Sequence, residues 1–114
     1  MGLDIDLIFE VDTGNGIEEF CVFEDNYTHN CAKMAKEANI YMEVWQPEEI
    51  GLKVARDLIE PLSRGIALMR EDPSRFIKLD PPNGWGSYDT FLPWLENYLA
   101  ACKKYPAAKI KASS

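Results

Sequence analysis

Hydrophobic and polar residues alternate with a period of two at the start of the chain. Residues 3–12 put acidic side chains on one face and apolar side chains on the other, the apolar set being Leu3, Ile5, Leu7, Phe9 and Val11. This alternation predicts a half-buried β-strand. The segment DTGNG that follows is rich in glycine and predicts a hairpin turn, so residues 17–24 are expected to form a second, antiparallel strand.

Helical periodicity of three to four residues replaces the alternation after residue 28. Thr28 is the expected N-cap of a first helix that ends near Asn39. The main helical pattern covers residues 52–69, and Pro61 predicts a kink or break within it. Asp72 and Pro73 begin a short helix, and a final helix begins with its N-cap at Ser87 or Thr90. Residues 40–49 fit either a strand or a packed connector, with a helix start at Pro47.

Alternation returns at residues 108–112 and predicts a third strand. The expected fold is therefore α+β, in one domain covering residues 1–114. A small three-stranded antiparallel sheet, made of the N-terminal hairpin and the C-terminal strand, packs against three or four helices. If the last strand pairs with the first, Lys109 and Lys111 lie beside the acidic face of the first strand.

Charge is distributed unevenly along the 114 residues, whose net charge is −7. Residues 1–49 hold 12 acidic and two basic residues, a net charge of −10, which disfavours direct contact with nucleic acid and favours a basic protein partner. The expected partner-binding residues are Asp4, Asp6, Glu10, Asp12, Glu18 and Glu19. The alternative is that these acids form an ordinary solvated sheet face, partly neutralised by lysines.

Composition excludes several classes of protein. No apolar run approaches the roughly 20 residues that span a bilayer, and the acidic N-terminal segment does not resemble a signal peptide. Three cysteines without a CxxC pair indicate buried thiols in a reducing compartment, so a cytoplasmic location is expected. No motif for a cofactor, a metal ion or a catalytic constellation is recognised.

Two segments carry side chains suited to ligand binding. The single histidine, His29, precedes Asn30 at the start of the first helix, and the loop NGWGSY lies before the last helix. A composite site would join these segments if the two helices pack side by side, using His29, Asn30, Asn83, Trp85, Ser87 and Tyr88. The alternative is structural: residues 28–30 cap a helix, and Trp85 folds back over the core.

Several motifs together resemble a family of small proteins encoded by phages and by prophage-bearing bacterial genomes. They are T-H-N at residues 28–30, W-x-P-E-E at 45–49, P-x-N-G-W-G-x-Y at 81–88 and Tyr-Pro before the last strand. Pro93 departs from the pattern, since an ordinary helix former is expected there. The family has no established activity, so the resemblance implies a genomic setting and no mechanism.

Together these observations favour a non-enzymatic phage-type accessory protein. It would bind a host or phage protein through the acidic N-terminal surface, for example as an inhibitor of host defence. The alternative is a protein that binds a small molecule or a metal ion between the His29–Asn30 helix start and the 83–88 loop, with or without catalytic activity. The open edges of a three-stranded sheet also allow self-association.

Overall fold

A computed structural model describes residues 2–114 and confirms the α+β fold. Three strands, β1 (Gly2–Asp12), β2 (Ile17–Thr28) and β3 (Lys109–Ser113), form an antiparallel sheet in the order β2-β1-β3. The C-terminal strand therefore pairs with the first strand, and this pairing places Lys109 and Lys111 beside the acidic face of β1. β3 covers only residues 4–8 of β1, so the remainder of β1 has one unpaired edge.

Strand β1 has the alternation that its sequence predicts. Leu3, Ile5 and Leu7 are fully buried on the face that packs against the helices. A β-bulge follows Leu7, because Leu7 lies opposite Phe23 whereas Ile8 lies opposite Cys21. The bulge leaves Val22 without a partner in the ladder, which explains why β2 alternates poorly in sequence.

Five α-helices and two 3-10 turns connect the hairpin to β3. A 3-10 turn at His29–Cys31 precedes α1 (Ala32–Glu37), and Asn39, two residues after the end of α1, has a positive φ of 60°, the left-handed conformation expected of it. The ambiguous segment 40–49 is neither a strand nor a simple connector, since it forms α2 (Tyr41–Trp45) and a 3-10 turn at Pro47–Ile50.

The main helix, α3 (Arg56–Glu71), begins four residues later than its pattern suggests. Residues 53–55 pair with the chain around β3 instead: Ala55 N–H donates to the Ala108 carbonyl, and Ile110 N–H donates to the Lys53 carbonyl. Of the kink or break predicted at Pro61, the break is wrong, because α3 continues through Pro61. The short helix α4 (Pro73–Ile77) begins after Asp72 as expected.

The last helix, α5 (Tyr88–Lys104), has Ser87 as its N-cap. It packs against α3 and contacts β2, and the buried side chains of the helices and of the sheet form one cluster. One apolar core results, whose largest fully buried side chains are Trp45, Tyr98, Phe76, Phe91, Leu3, Ile5, Leu7, Met34, Ile40, Leu58, Leu62 and Met69. Within residues 2–114, no helix is long and apolar enough to cross a membrane.

The hairpin extends beyond this core. Residues 9–20 contain the ends of both strands and the turn, and we refer to them as the arm. β3 does not reach the arm, and the molecule is elongated, with extents of 53 × 27 × 22 Å. The arm is therefore a two-stranded ribbon with two unpaired edges.

Candidate functional site

The six acids expected to form one partner-binding surface are divided by the structure into separate groups. Glu10 forms an ion pair with Lys109 at 2.5 Å, and Glu19 forms one with Lys111 at 3.0 Å. The hydrogen bond and charge of Lys109 lower the pKa of Glu10. These two carboxylates are thus partly neutralised on the outer face of the sheet, in the manner of an ordinary sheet face.

Asp12 and Glu18 have different surroundings. The Asp12 carboxylate accepts a hydrogen bond from Gly14 N–H at 2.9 Å and so stabilises the hairpin turn. Glu18 lies opposite Val11, on the face of the arm that continues the core side of the sheet. Neither residue joins the ion pairs on the outer face.

Asp4 and Asp6 lie at the other end of the outer face, beside two acids that the sequence did not identify. With Glu24 and Asp25 they line a polar groove of about 550 Å³. None of the four takes part in the ion pairs found within residues 2–114. Continued from the turn without a bulge, the register would place Phe23 opposite Asp6, whereas the bulge at Val22 places Glu24 there.

One thiol also lies in this region. Single ligand atoms of Asp6, Cys21 and Glu24 lie within 4.8 Å of one another. Partial burial of the sulfur raises the pKa of Cys21, and the carboxylates of Asp6 and Glu24 raise it further, which disfavours the thiolate that binds metals. Cys31 and Cys102 are buried as expected, whereas Cys21 is exposed, which corrects the expectation that all three thiols are buried.

Apolar side chains are exposed on the arm. Phe9 pairs with Phe20 across the hairpin, and Val11 follows on the same face. Phe9 is partly covered by an edge-to-face contact with the Tyr105 ring, whose centroid lies 6.4 Å from that of Phe9. Beyond it Val11 is 44% and Phe20 is 49% exposed, so the inner face of the sheet continues past the core as an uncovered apolar surface.

His29 is held by a buried tryptophan. The indole Nε1–H of Trp45, a residue only 2% exposed, donates a hydrogen bond of 2.9 Å to His29 Nδ1. Because an indole nitrogen can only donate, Nδ1 is the unprotonated nitrogen and Nε2 carries the ring proton. Thr28 caps the same turn through its hydroxyl, which accepts from the backbone N–H of Asn30.

Trp85 is not a core residue, and the interpretation of its side chain as a plug is wrong. The side chain is 70% exposed. Its backbone N–H donates to the Asn83 carboxamide oxygen at 3.0 Å, and Gly84 and Gly86 have positive φ on either side. The neighbouring Gly86 lies close to β2, since a Cβ atom there would come within 2.7 Å of the Thr28 methyl carbon.

The hydroxyl of Tyr27 joins β2 to the loop and to α5. It is hydrogen bonded to the Thr90 hydroxyl at 2.6 Å and accepts a bond from Ser87 N–H at 3.2 Å. Burial raises the pKa of Tyr27 to about 12. Tyr27 has no distinctive motif in the sequence, yet it connects segments about 60 residues apart.

The remaining loop residues serve the structure. Tyr88 is buried: its hydroxyl donates to the Met69 carbonyl at 2.7 Å, and its N–H donates to the Asp80 carboxylate at 2.7 Å. Ser87 N–H also donates to the Thr90 hydroxyl, one of the reciprocal bonds of a capping box. These contacts assign Ser87 and Tyr88 to the start of α5.

Three of the proposed ligand-binding residues lie along one groove. His29, Asn30 and Trp85 line a cavity of about 680 Å³, together with Asp4 and Asn26 from the strands. Asn83, Ser87 and Tyr88 do not line it. The two segments thus lie side by side, although only part of each faces the groove.

Comparison of the chain with protein-family models, with curated proteins and with solved structures found no match. The resemblance to phage-encoded proteins therefore stays a prediction from the motifs.

Proposed function

We propose that the protein is a non-enzymatic binding module whose arm docks an extended, basic segment of another protein. The observation that carries this proposal is the exposure of Val11 and Phe20 on a ribbon that projects beyond the core. An accessory protein that binds a host or phage protein, the role that the acidic N-terminal half favours, would act in this way.

The unpaired edge of β1 supports strand addition. β3 pairs with residues 4–8, so the backbone groups of residues 9–12 on that side have no neighbouring strand within residues 2–114. A segment in extended conformation can pair with such an edge and place alternate side chains on opposite faces of the ribbon. Its apolar side chains would then lie against Val11 and Phe20.

The charge of the arm indicates which polar residues the bound segment should carry beside its apolar ones. The arm contains four carboxylates and no lysine or arginine. Lys109 and Lys111 pair with only two of the four, Glu10 and Glu19. Basic residues at alternate positions of the bound segment would be attracted to this surface, whereas a second arm would be repelled. The preferred partner is therefore a foreign segment with alternating apolar and basic residues.

Short synthetic peptides test this proposal by calorimetric titration. A peptide of alternating valine and lysine is expected to bind the wild-type protein with an affinity that decreases with salt. A peptide of alternating valine and glutamate keeps only the apolar positions, and one of alternating threonine and lysine keeps only the basic positions. Each is expected to bind at least tenfold more weakly than the valine–lysine peptide. Equal binding of the valine–glutamate peptide, or no binding of the valine–lysine peptide, would contradict the proposal.

Two variants locate the binding surface. The double substitution Val11→Ser with Phe20→Ser removes the apolar surface of the arm and is expected to reduce the affinity at least tenfold. Ile77→Ser is the matched control, because Ile77 is 47% exposed on α4 and lies outside the arm. A double variant that binds as tightly as this control would overturn the proposal, as would a stable wild-type dimer that the double substitution dissociates in sedimentation.

A further inference from the structure

A second groove adjoins the one that contains Trp85. It has a volume of about 520 Å³ and is lined by His29 and Asn30 on one side and by residues of α1 and of the 78–82 segment on the other. The two grooves share His29 and Asn30. The two grooves therefore adjoin each other at the T-H-N turn.

The two halves differ in chemistry. The second groove contains three lysines, Lys33, Lys36 and Lys78, and one acid, Asp80. The Asp80 carboxylate is already bonded to Tyr88 N–H, whereas Lys33 and Lys78 are in none of the ion pairs among residues 2–114. This half attracts anions in a protein whose net charge is −7.

The first half offers an aromatic surface instead. The indole of Trp85 is exposed, and the backbone that carries it is held on both sides, since Asn83 accepts from its N–H and Gly86 lies close to Thr28 and Cys31. Asp4 and Asn26 also line this half. A flat ring can stack on the indole, and ring N–H or amino groups can donate to the carboxylate.

The central turn suits a polar linking group. Nδ1 of His29 is occupied by Trp45, so Nε2–H is the donor that the imidazole has available. The Asn30 side chain is exposed and already donates to the Thr28 hydroxyl, which keeps it beside His29. Hydroxyl groups of a sugar are suitable partners for this pair.

From this juxtaposition of an exposed tryptophan, a histidine–asparagine turn and three lysines we infer a binding site for a free nucleotide. The base stacks on Trp85, the ribose lies at His29 and Asn30, and the phosphate lies among the lysines. The site lies outside the arm, so nucleotide binding and protein docking are separate properties of the chain.

Calorimetric titration with AMP and GMP tests the inference, with adenosine, ribose 5-phosphate and inorganic phosphate as partial ligands. At least one nucleotide is expected to bind more tightly than every partial ligand, because only the nucleotide occupies both grooves. A short single-stranded RNA tests whether the site takes a free nucleotide or a nucleotide within a chain. The RNA should bind more weakly than the free nucleotide, because its further phosphates approach Asp4. Tighter binding of the RNA, or nucleotide binding no tighter than that of inorganic phosphate, would overturn the inference.

Substitutions test which groove binds the base and which binds the phosphate. Trp85→Ala is expected to weaken nucleotide binding by about 5- to 150-fold, the range typical of base–aromatic stacking, and to leave phosphate binding unchanged. Lys33→Gln with Lys78→Gln should weaken the binding of both nucleotide and phosphate and reduce the salt dependence. Lys103→Gln, on α5 away from both grooves, is the control. Unchanged nucleotide affinity in either the Trp85 or the double lysine variant would contradict the site.

Discussion

Gly86 provides the sharpest test of how the 80–88 loop is attached to the rest of the protein. A Cβ atom at this position would lie 2.7 Å from the Thr28 methyl carbon, 3.1 Å from Cys31 Sγ and 3.1 Å from the Tyr27 hydroxyl. Thr28 and Tyr27 cannot move away without losing hydrogen bonds, because the Thr28 hydroxyl caps a turn and the Tyr27 hydroxyl is bonded to Thr90. Gly86→Ala therefore forces the loop away from β2 or distorts both.

Two contributions to the destabilisation caused by Gly86→Ala can be separated. The φ of +86° at Gly86 disfavours alanine by about 1–2 kcal/mol, and overpacking adds about 1–3 kcal/mol. Gly84 is a matched control, because its φ is +75° and a Cβ there would meet no atom of residues 2–114 within 4 Å. Gly84→Ala should therefore incur only the first contribution.

Equilibrium unfolding in urea measures both variants against the wild type. We expect Gly86→Ala to lower the free energy of unfolding by about 2–5 kcal/mol, a large part of the 5–15 kcal/mol typical of a domain. Gly84→Ala should lower it by about 1–2 kcal/mol. If the two variants differ by less than about 0.5 kcal/mol, the close contact of Gly86 with β2 is not part of the native structure.

Three further predictions concern buried polar groups. Tyr27→Phe removes the hydroxyl bonds to the loop and should lower the free energy of unfolding in urea by about 1–2 kcal/mol; no change would mean that those bonds do not hold the loop. His29→Ala leaves the buried Trp45 indole N–H without an acceptor and should lower the free energy of unfolding by about 1–3 kcal/mol in the same assay. An unchanged free energy of unfolding would contradict the hydrogen bond between Trp45 and His29. Burial raises the pKa of Tyr27 and of Cys102 to about 12, from ordinary values of 10 and 9, so the unfolded chain loses these protons first. Stability, followed by urea unfolding at neutral and alkaline pH, should therefore be constant up to about pH 9 and decrease as the pH rises towards 12; a flat profile from pH 9 to 12 would contradict the burial of both groups.

Local patterns predicted the strands because alternation directly reflects which side chains are buried. Leu3, Ile5 and Leu7 are buried as expected, and the C-terminal alternation placed β3 correctly. The register of β2 was not predictable in the same way. A bulge at Val22 changes the period within the strand, and this hid the proximity of Glu24 to Asp6.

The interpretation of Trp85 shows the limit of composition. A large aromatic residue between glycines is commonly buried, but the pocket beneath the loop is filled by the backbone of Gly86 and the hydroxyl of Tyr27. Both contacts connect residues about 60 positions apart, and no local pattern encodes such a contact. Pro61 likewise lies within an unbroken helix, because the packing of α3 against α5 outweighs the loss of one backbone bond.

Hydrogen exchange during titration with the valine–lysine peptide tests the central proposal most directly, because it locates the bound segment on the backbone. Strand addition at the unpaired edge of β1 predicts that amide exchange slows within residues 9–12 and that amides around Trp85 are unaffected. Unchanged exchange in the arm at saturating peptide, or protection confined to residues 28–30 and 85, would show that the arm is not the docking element.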